Sequence, residues 1–235
     1  MNKALFQHST IGALMAGMFE GTLPLADLLE RGDMGIGTFH GLDGELVLLD
    51  GVAYQIKVDG SVVEADSAIK TPYAAVTHFG AGNSFAVDAF HSKDAVKDRL
   101  VAEFAGKNTF QAVKMTGVFK DVLCRSVEKQ ETPYPRLVDV AEEQAEFRRE
   151  TVEGTLIGFY TPEIFGAIAV PEFHLHFISA EKDFGGHVLH FGIEKGRVEW
   201  EMMERLVQDF PVGNRAFLET EIDYSRLAED IEEAE

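Results

Sequence analysis

The sequence predicts an α+β protein with two sheet-rich halves, built of mixed or antiparallel strands and a few short helices. Three observations predict it. Asp-Gly pairs at 43–44, 50–51 and 59–60 separate short apolar runs, which is the pattern of successive hairpins. Around Phe173 to Ile178 the side chains alternate with period two, as in a strand with two distinct faces. Helical periodicity is confined to short stretches. The chain has 235 residues, 46% of them hydrophobic, enough for a packed interior and incompatible with global disorder.

Taken in order, Ser9 and Thr10 are N-cap candidates for a short helix through Ile11, Leu14, Met15 and Met18. Pro24 to Arg31 predicts a second, with proline in its first turn and Gly32 after it. A meander follows over 36–40, 45–49, 52–58 and 61–64, then a strand over Thr71–Phe79. Ser92 caps a helix over 93–104, whose Ala95, Val96, Leu100, Val101 and Phe104 share a face. Asn108 to Leu123 reads as one long strand or two short ones. The two prolines of QETPYPRL break regular structure, and the acidic stretch 139–150 reads as a connector. This gives an expected division into an N-terminal α/β sheet domain, 1–138, and a C-terminal antiparallel sheet domain, 139–235. In the latter, strands are expected at Gly154–Tyr160, Ile168–Val170, Phe173–Ile178, His187–Ile193 and Arg197–Glu201, with turns at Gly185-Gly186 and Lys195-Gly196. A weak helical pattern ends the chain.

Charge narrows the partners. Twenty-one Lys and Arg stand against 40 Asp and Glu, a net charge of −19, whose field repels phosphate backbones and disfavours nucleic acid. Cys124 is alone, so no intrachain disulfide and no cysteine zinc knuckle forms, and a lone thiol suits a reducing compartment. No apolar stretch approaches the ~20 residues of a membrane span, and the N-terminus does not read as a signal peptide. The expectation is a soluble, cytoplasmic protein.

The chemistry-bearing pattern is in the second half. His174 and His176, two apart in a strand, point to one face. Past the EKDFGG turn the next strand opens at His187, which antiparallel pairing brings beside them. Three imidazoles on a sheet face hold a divalent ion, most often zinc, with positions left open for substrate. A His-x-His pair alone fits ordinary hydrogen-bonded sheet histidines better than a metal site; the third histidine is what brings metal level with that reading. His190 faces away from His187 in a regular strand. Glu45, after Asp43-Gly44, reads as a turn residue or a site carboxylate. Arg125, at a strand end, reads as a surface cation or a two-point carboxylate clamp. No glycine-rich phosphate loop, nucleophile elbow or Cys-His pairing is present.

Longer segments then carry a resemblance. LFQHSTIGALMAGMFEG, RGDMGIGTFHGLDGELVLLDG with YQI, KTPYAAVTHF, FQAVKMTGVFKDVLCRSVEKQETPYPRL, EGTLIGFYTPEIF and FHLHFISAEKDFGGHVLHF resemble the bacterial α-acetolactate decarboxylases in order and over almost the whole chain. The resemblance implies a Zn²⁺-dependent carboxy-lyase converting 2-acetolactate, a 2-hydroxy-3-keto acid, to (R)-acetoin and CO2. It also implies a two-domain α/β or α+β fold, a homodimer, and metal ligands His174, His176 and His187. Glu45, Arg125 and, with a less defined role, Thr38 match family site positions. A C-terminal family glutamate matches Glu235, with Glu232 as the alternative. In the implied mechanism the metal chelates the ketone and hydroxyl oxygens, and Glu45 or Glu235 protonates the resulting enediolate. The competing reading, from the histidines alone, is a non-catalytic metal-dependent small-ligand-binding protein on a sheet scaffold.

Overall fold

The computed structural model describes residues 3–234. The chain opens with β1 (Ala4–His8), α1 (Ile11–Met15), β2 (Leu23–Pro24), α2 (Leu25–Leu29) and β3 (Met34–Thr38). Next come β4 (Glu45–Leu49), β5 (Val52–Ile56), β6 (Val62–Glu64), β7 (Lys70–Thr71), β8 (Ala74–Thr77) and β9 (Asn83–Val87). β10 (His91–Ser92), α3 (Lys93–Glu103), β11 (Gln111–Ser126), α4 (Leu137–Ala141) and β12 (Ala145–Thr161) follow. The last elements are β13 (Glu172–Ser179), β14 (Gly185–Met202), β15 (Arg205–Asp209), α5 (Arg215–Glu219) and α6 (Leu227–Ala234).

Two sheets organise the molecule. The first runs β15-β1-β8-β3-β4-β5-β6, antiparallel except where β15 lies parallel to β1. The second runs β10-β14-β11-β12-β13, with β9 also on β14. In addition β13 pairs with the first residues of β14, so β11, β12, β13 and β14 close into a ring. The α+β class with mixed and antiparallel sheets is therefore the observed one.

Burial follows the two-faced strands. Ile36, Val47 and Ile56 of the first sheet pack against Ala112, Ile157, Phe159 and Ile178 of the second. Leu25 and Leu28 of α2 cover the other face of the first sheet, against Leu46, Leu48 and Val76. Val96 and Leu100 of α3, with Phe104 just after it, fill the ring side with Phe119, Phe177 and Trp200. The two sheets are thus sandwiched between helices, and each buries both faces of its central strands.

Several expected elements stand where the local signals put them. Thr10 caps α1 by accepting from the Ala13 N–H at 3.1 Å, and Ser92 caps α3 by accepting from Ala95. The Asp-Gly hairpins generate β4, β5 and β6 in order.

Across residue 138 the strands interlock: β11 pairs with both β12 and β14, and β15 returns to the first sheet. Three expectations are corrected. The supposed connector 139–150 contains the end of α4 and the first turns of the β12 ladder. Ile168–Val170 is not a strand: its amides bond back to Phe165, and the Ile168 carbonyl receives the Ile11 N–H and the Gln7 amide. Lys195-Gly196 makes no turn, because β14 runs straight through it with Gly196 opposite Gly117. There the missing side chains let the two backbones approach closely.

Candidate metal centre

Ring closure assembles the centre. Arg125 of β11 stands opposite His187 of β14, and His187 stands opposite His176 of β13. Residues in cross-strand register share a face, so these three side chains form one row across the seam. His174 adds a fourth member two residues along the same strand face. The ligand nitrogens of His174, His176 and His187 all lie within 4.8 Å of one another. Their rings sit 5.0–5.5 Å apart, centroid to centroid.

Gly186 makes the seam possible. Its φ of +131° is open to glycine and strained for other residues, and a Cβ there would strike the Arg125 carbonyl. Register shifts in the β11–β14 ladder near Leu123 and Cys124 bend the strand just before Arg125.

The first sheet supplies the opposite wall. The β3–β4 hairpin places Thr38 and Glu45 directly across from each other. The Thr38 hydroxyl donates to the Gly44 carbonyl at 2.7 Å and pins the turn that precedes Glu45. Glu45 brings a carboxylate oxygen to 3.5 Å from His176 Nε2. The Leu46 carbonyl accepts from His176 Nδ1 at 2.8 Å. That bond puts the proton on Nδ1 and leaves the Nε2 lone pair directed into the cluster, the usual outer-shell arrangement of a ligating histidine. Nε2 is buried and has no hydrogen-bond partner among the described residues.

Electrostatics keep His174 and His176 neutral. Burial, with the Arg125 charge adding to it, takes His174 down to about 3. Burial is also the main cause for His176, held well below the usual histidine range, with His174 and Arg125 acting the same way and the Leu46 bond opposing. Neutral rings with free lone pairs are the form a divalent cation binds. The buried, unpartnered Nε2 and the convergent donor set therefore fit a zinc-type ion with three nitrogen ligands.

His174, His176, His187, Arg125, Glu45 and Thr38 line one cleft. Ile11, Leu14, Leu42, Val127 and Leu137 give it apolar walls. Of the two alternative glutamates, Glu235 lies outside the described residues. Glu232 is exposed on α6 and lines a neighbouring, larger cavity that also reaches His187. His190 points outward and faces Asp121 at 3.8 Å, and Cys124 is a buried thiol whose pKa burial pushes up.

Two side chains at the site were not singled out in the sequence. Tyr73 lines the cleft beside Gly37. Gln144 accepts from Arg125 Nη1 at 3.1 Å. Tyr73 sits in a segment legible only as a strand, and Gln144 in a run that resembles solvated acidic surface.

Known proteins resemble this chain over nearly its whole length. A family profile described as alpha-acetolactate decarboxylase matches residues 5–224. The chain is 44% identical over 231 residues to the alpha-acetolactate decarboxylase of Lactococcus lactis subsp. lactis, covering 98% of each. It is 47% identical over 195 residues to that of Brevibacillus brevis, covering 83% of this chain and 68% of the relative. The crystal structure of acetolactate decarboxylase from Bacillus subtilis subspecies spizizenii superposes with a TM-score of 0.96 at 33% identity, covering 99% of this chain and 100% of that one. A Staphylococcus aureus protein, described as of unknown function and similar to alpha-acetolactate decarboxylase, gives 0.96 at 41% identity, covering 99% of this chain and 100% of that one. With a profile spanning nearly the whole length and a full-length relative at 44% identity, the chain belongs to the alpha-acetolactate decarboxylase family.

Proposed function

We propose that this enzyme decarboxylates 2-acetolactate to (R)-acetoin and CO2, with Zn²⁺ held by His174, His176 and His187. The observation that carries the proposal is the meeting of three imidazoles, a buried guanidinium and a carboxylate in one cleft. Family membership supports the substrate. A zinc ion bound there supplies a Lewis acid that draws electron density toward the substrate's ketone oxygen.

The remaining work falls to the chain's own side chains. Arg125 receives the substrate carboxylate through its planar pair of N–H donors. Holding that group fixes the orientation of the bond that breaks. When it breaks, CO2 leaves, and the electron pair forms the new carbon–carbon double bond while the ketone becomes an enediolate oxygen. Glu45 delivers a proton to the carbon that lost CO2, and the carbonyl re-forms. The proton arrives from the β4 side only, which sets the handedness of acetoin. Thr38 holds the Gly44 carbonyl and with it the turn that aims Glu45. The apolar walls from α1 and α4 keep bulk water from competing as proton source.

The test is direct. Purified protein with zinc and racemic acetolactate is expected to release CO2 and give acetoin of one hand, read by colour assay and chiral chromatography. Bound metal without acetoin would favour the ligand-binding reading and overturn this one.

A further inference from the structure

We propose that Gln144 is a positioning residue for Arg125, and that its amide sets the direction in which the guanidinium meets the substrate carboxylate. The inference rests on the role given to Arg125 above.

Gln144 sits at the junction of α4 and β12. Its N–H bonds back to the Ala141 carbonyl at 3.3 Å, which seats it on the end of the helix whose first residue, Leu137, walls the cleft. Two residues on, Glu146 stands opposite Arg125 in the β11–β12 ladder. Gln144, just ahead of β12, therefore reaches over to the arginine on β11. Its Oε1 accepts from Arg125 Nη1 at 3.1 Å, and its Nε2 donates to Glu146 Oε1 at 3.3 Å. The two contacts are of opposite kind, so only one placement of the amide satisfies both. A carboxamide is the one side chain of this length that accepts from a guanidinium at one end and donates to a carboxylate at the other.

Chemical identity at 144 also sets charge. The flanking Glu142, Glu143 and Glu146 are all exposed, while Gln144 is half-buried. A glutamate there would hold Arg125 equally well but would bring a full negative charge to compete with an anionic substrate. The amide orients the guanidinium without that competition.

The kinetic signature follows from where charge travels. The substrate carries its negative charge on the carboxylate before reaction, and the breaking bond moves it toward the ketone oxygen. A contact to the carboxylate therefore adds little in the transition state beyond what it gives the bound substrate, and loosening it raises KM with little change in kcat.

The variant Gln144→Met keeps length and removes both polar ends. We expect KM for acetolactate to rise about tenfold, the worth of one hydrogen bond to a charged group, with kcat within about twofold. The competitive inhibition constant of acetoin, which has no carboxylate, stays unchanged, as do zinc content and melting temperature. Gln144→Glu, which keeps an acceptor toward Arg125, also raises KM for acetolactate and leaves acetoin inhibition alone; it decides the matter if the methionine variant does not fold. Unchanged KM in the variants, a fall in kcat alone, or a parallel loss of acetoin affinity overturns the proposal. Absence of acetoin from the unmodified enzyme would instead overturn the decarboxylase reading itself.

Discussion

His176 uses its two ring nitrogens for different ends. Nδ1 is spent on the Leu46 carbonyl, and that fixes Nε2 toward His174 and His187. Removing the ring as His176→Ala is expected to lower bound zinc and kcat/KM together, activity by more than about 100-fold. Elemental analysis checks it, and a full complement of metal in the variant would exclude His176 as a ligand. Arg125→Lys keeps the charge but not the planar fork, so zinc content should hold while kcat/KM falls about 10–100-fold. Steady-state kinetics beside metal analysis separates the two variants. At this scale the sequence was legible where periodicity speaks. Strand parity alone put His174 and His176 on one face and turned His190 away from His187. Gln144 was hidden because its partner lies across a ladder, and its neighbours look like any solvated acidic run.

Among the elements, β11, β13 and β14 hold the centre, and their seam depends on Gly186. Gly186→Ala drives a methyl group into the Arg125 backbone and forces a left-handed φ on alanine. The expected result is a loss of roughly 2–4 kcal/mol in stability, read by urea denaturation, together with weakened zinc binding. Unaltered stability would show that the seam can open without consequence. The hairpins over 45–64 were legible because Asp-Gly turns announce them. The start of β12 was not, because its residues alternate between half-buried and exposed positions. Arg148 and Arg149 there meet Asp121 and Asp183 on the surface, and such a strand carries no apolar signal. Long β14 was broken in the reading by a Lys-Gly pair that is in fact a point of close strand packing. β15 lies parallel to a strand about 200 residues earlier, and pairing of remote segments leaves no local trace.

For the whole molecule, the net charge of −19 describes the surface rather than the site. The cleft that would receive an anion contains Arg125 and neutral imidazoles, so its local field differs from the global one. Those imidazoles also make stability depend on pH. Burial holds His8, His174 and His176 below the ordinary histidine range in the fold, and in His8 it outweighs the bond to Asp209. The unfolded chain therefore binds more protons once pH falls below about 6.5, and the folded state loses stability in that direction. Metal-stripped protein should melt at lower temperature at about pH 5 than at about pH 7.5, by calorimetry; equal values would mean that these rings charge without cost. The α+β class was legible from the alternating pattern. A proline-rich break in the chain is a loop on the surface, and the strands on either side of it pair regardless.

The closed ring has a consequence for how the protein comes into being. His174, His176 and His187 all lie on β13 and β14, strands joined by a short turn and paired next to it, whereas Arg125 reaches His187 only through the remote β11–β14 pairing. The metal ligands therefore come together through local pairing, and the guanidinium and Glu45 join them only as distant strands find their registers. In refolding from denaturant, a zinc-sensitive signal should run ahead of the recovery of activity, and coincident traces would show that the hairpin does not hold its register before the ring shuts.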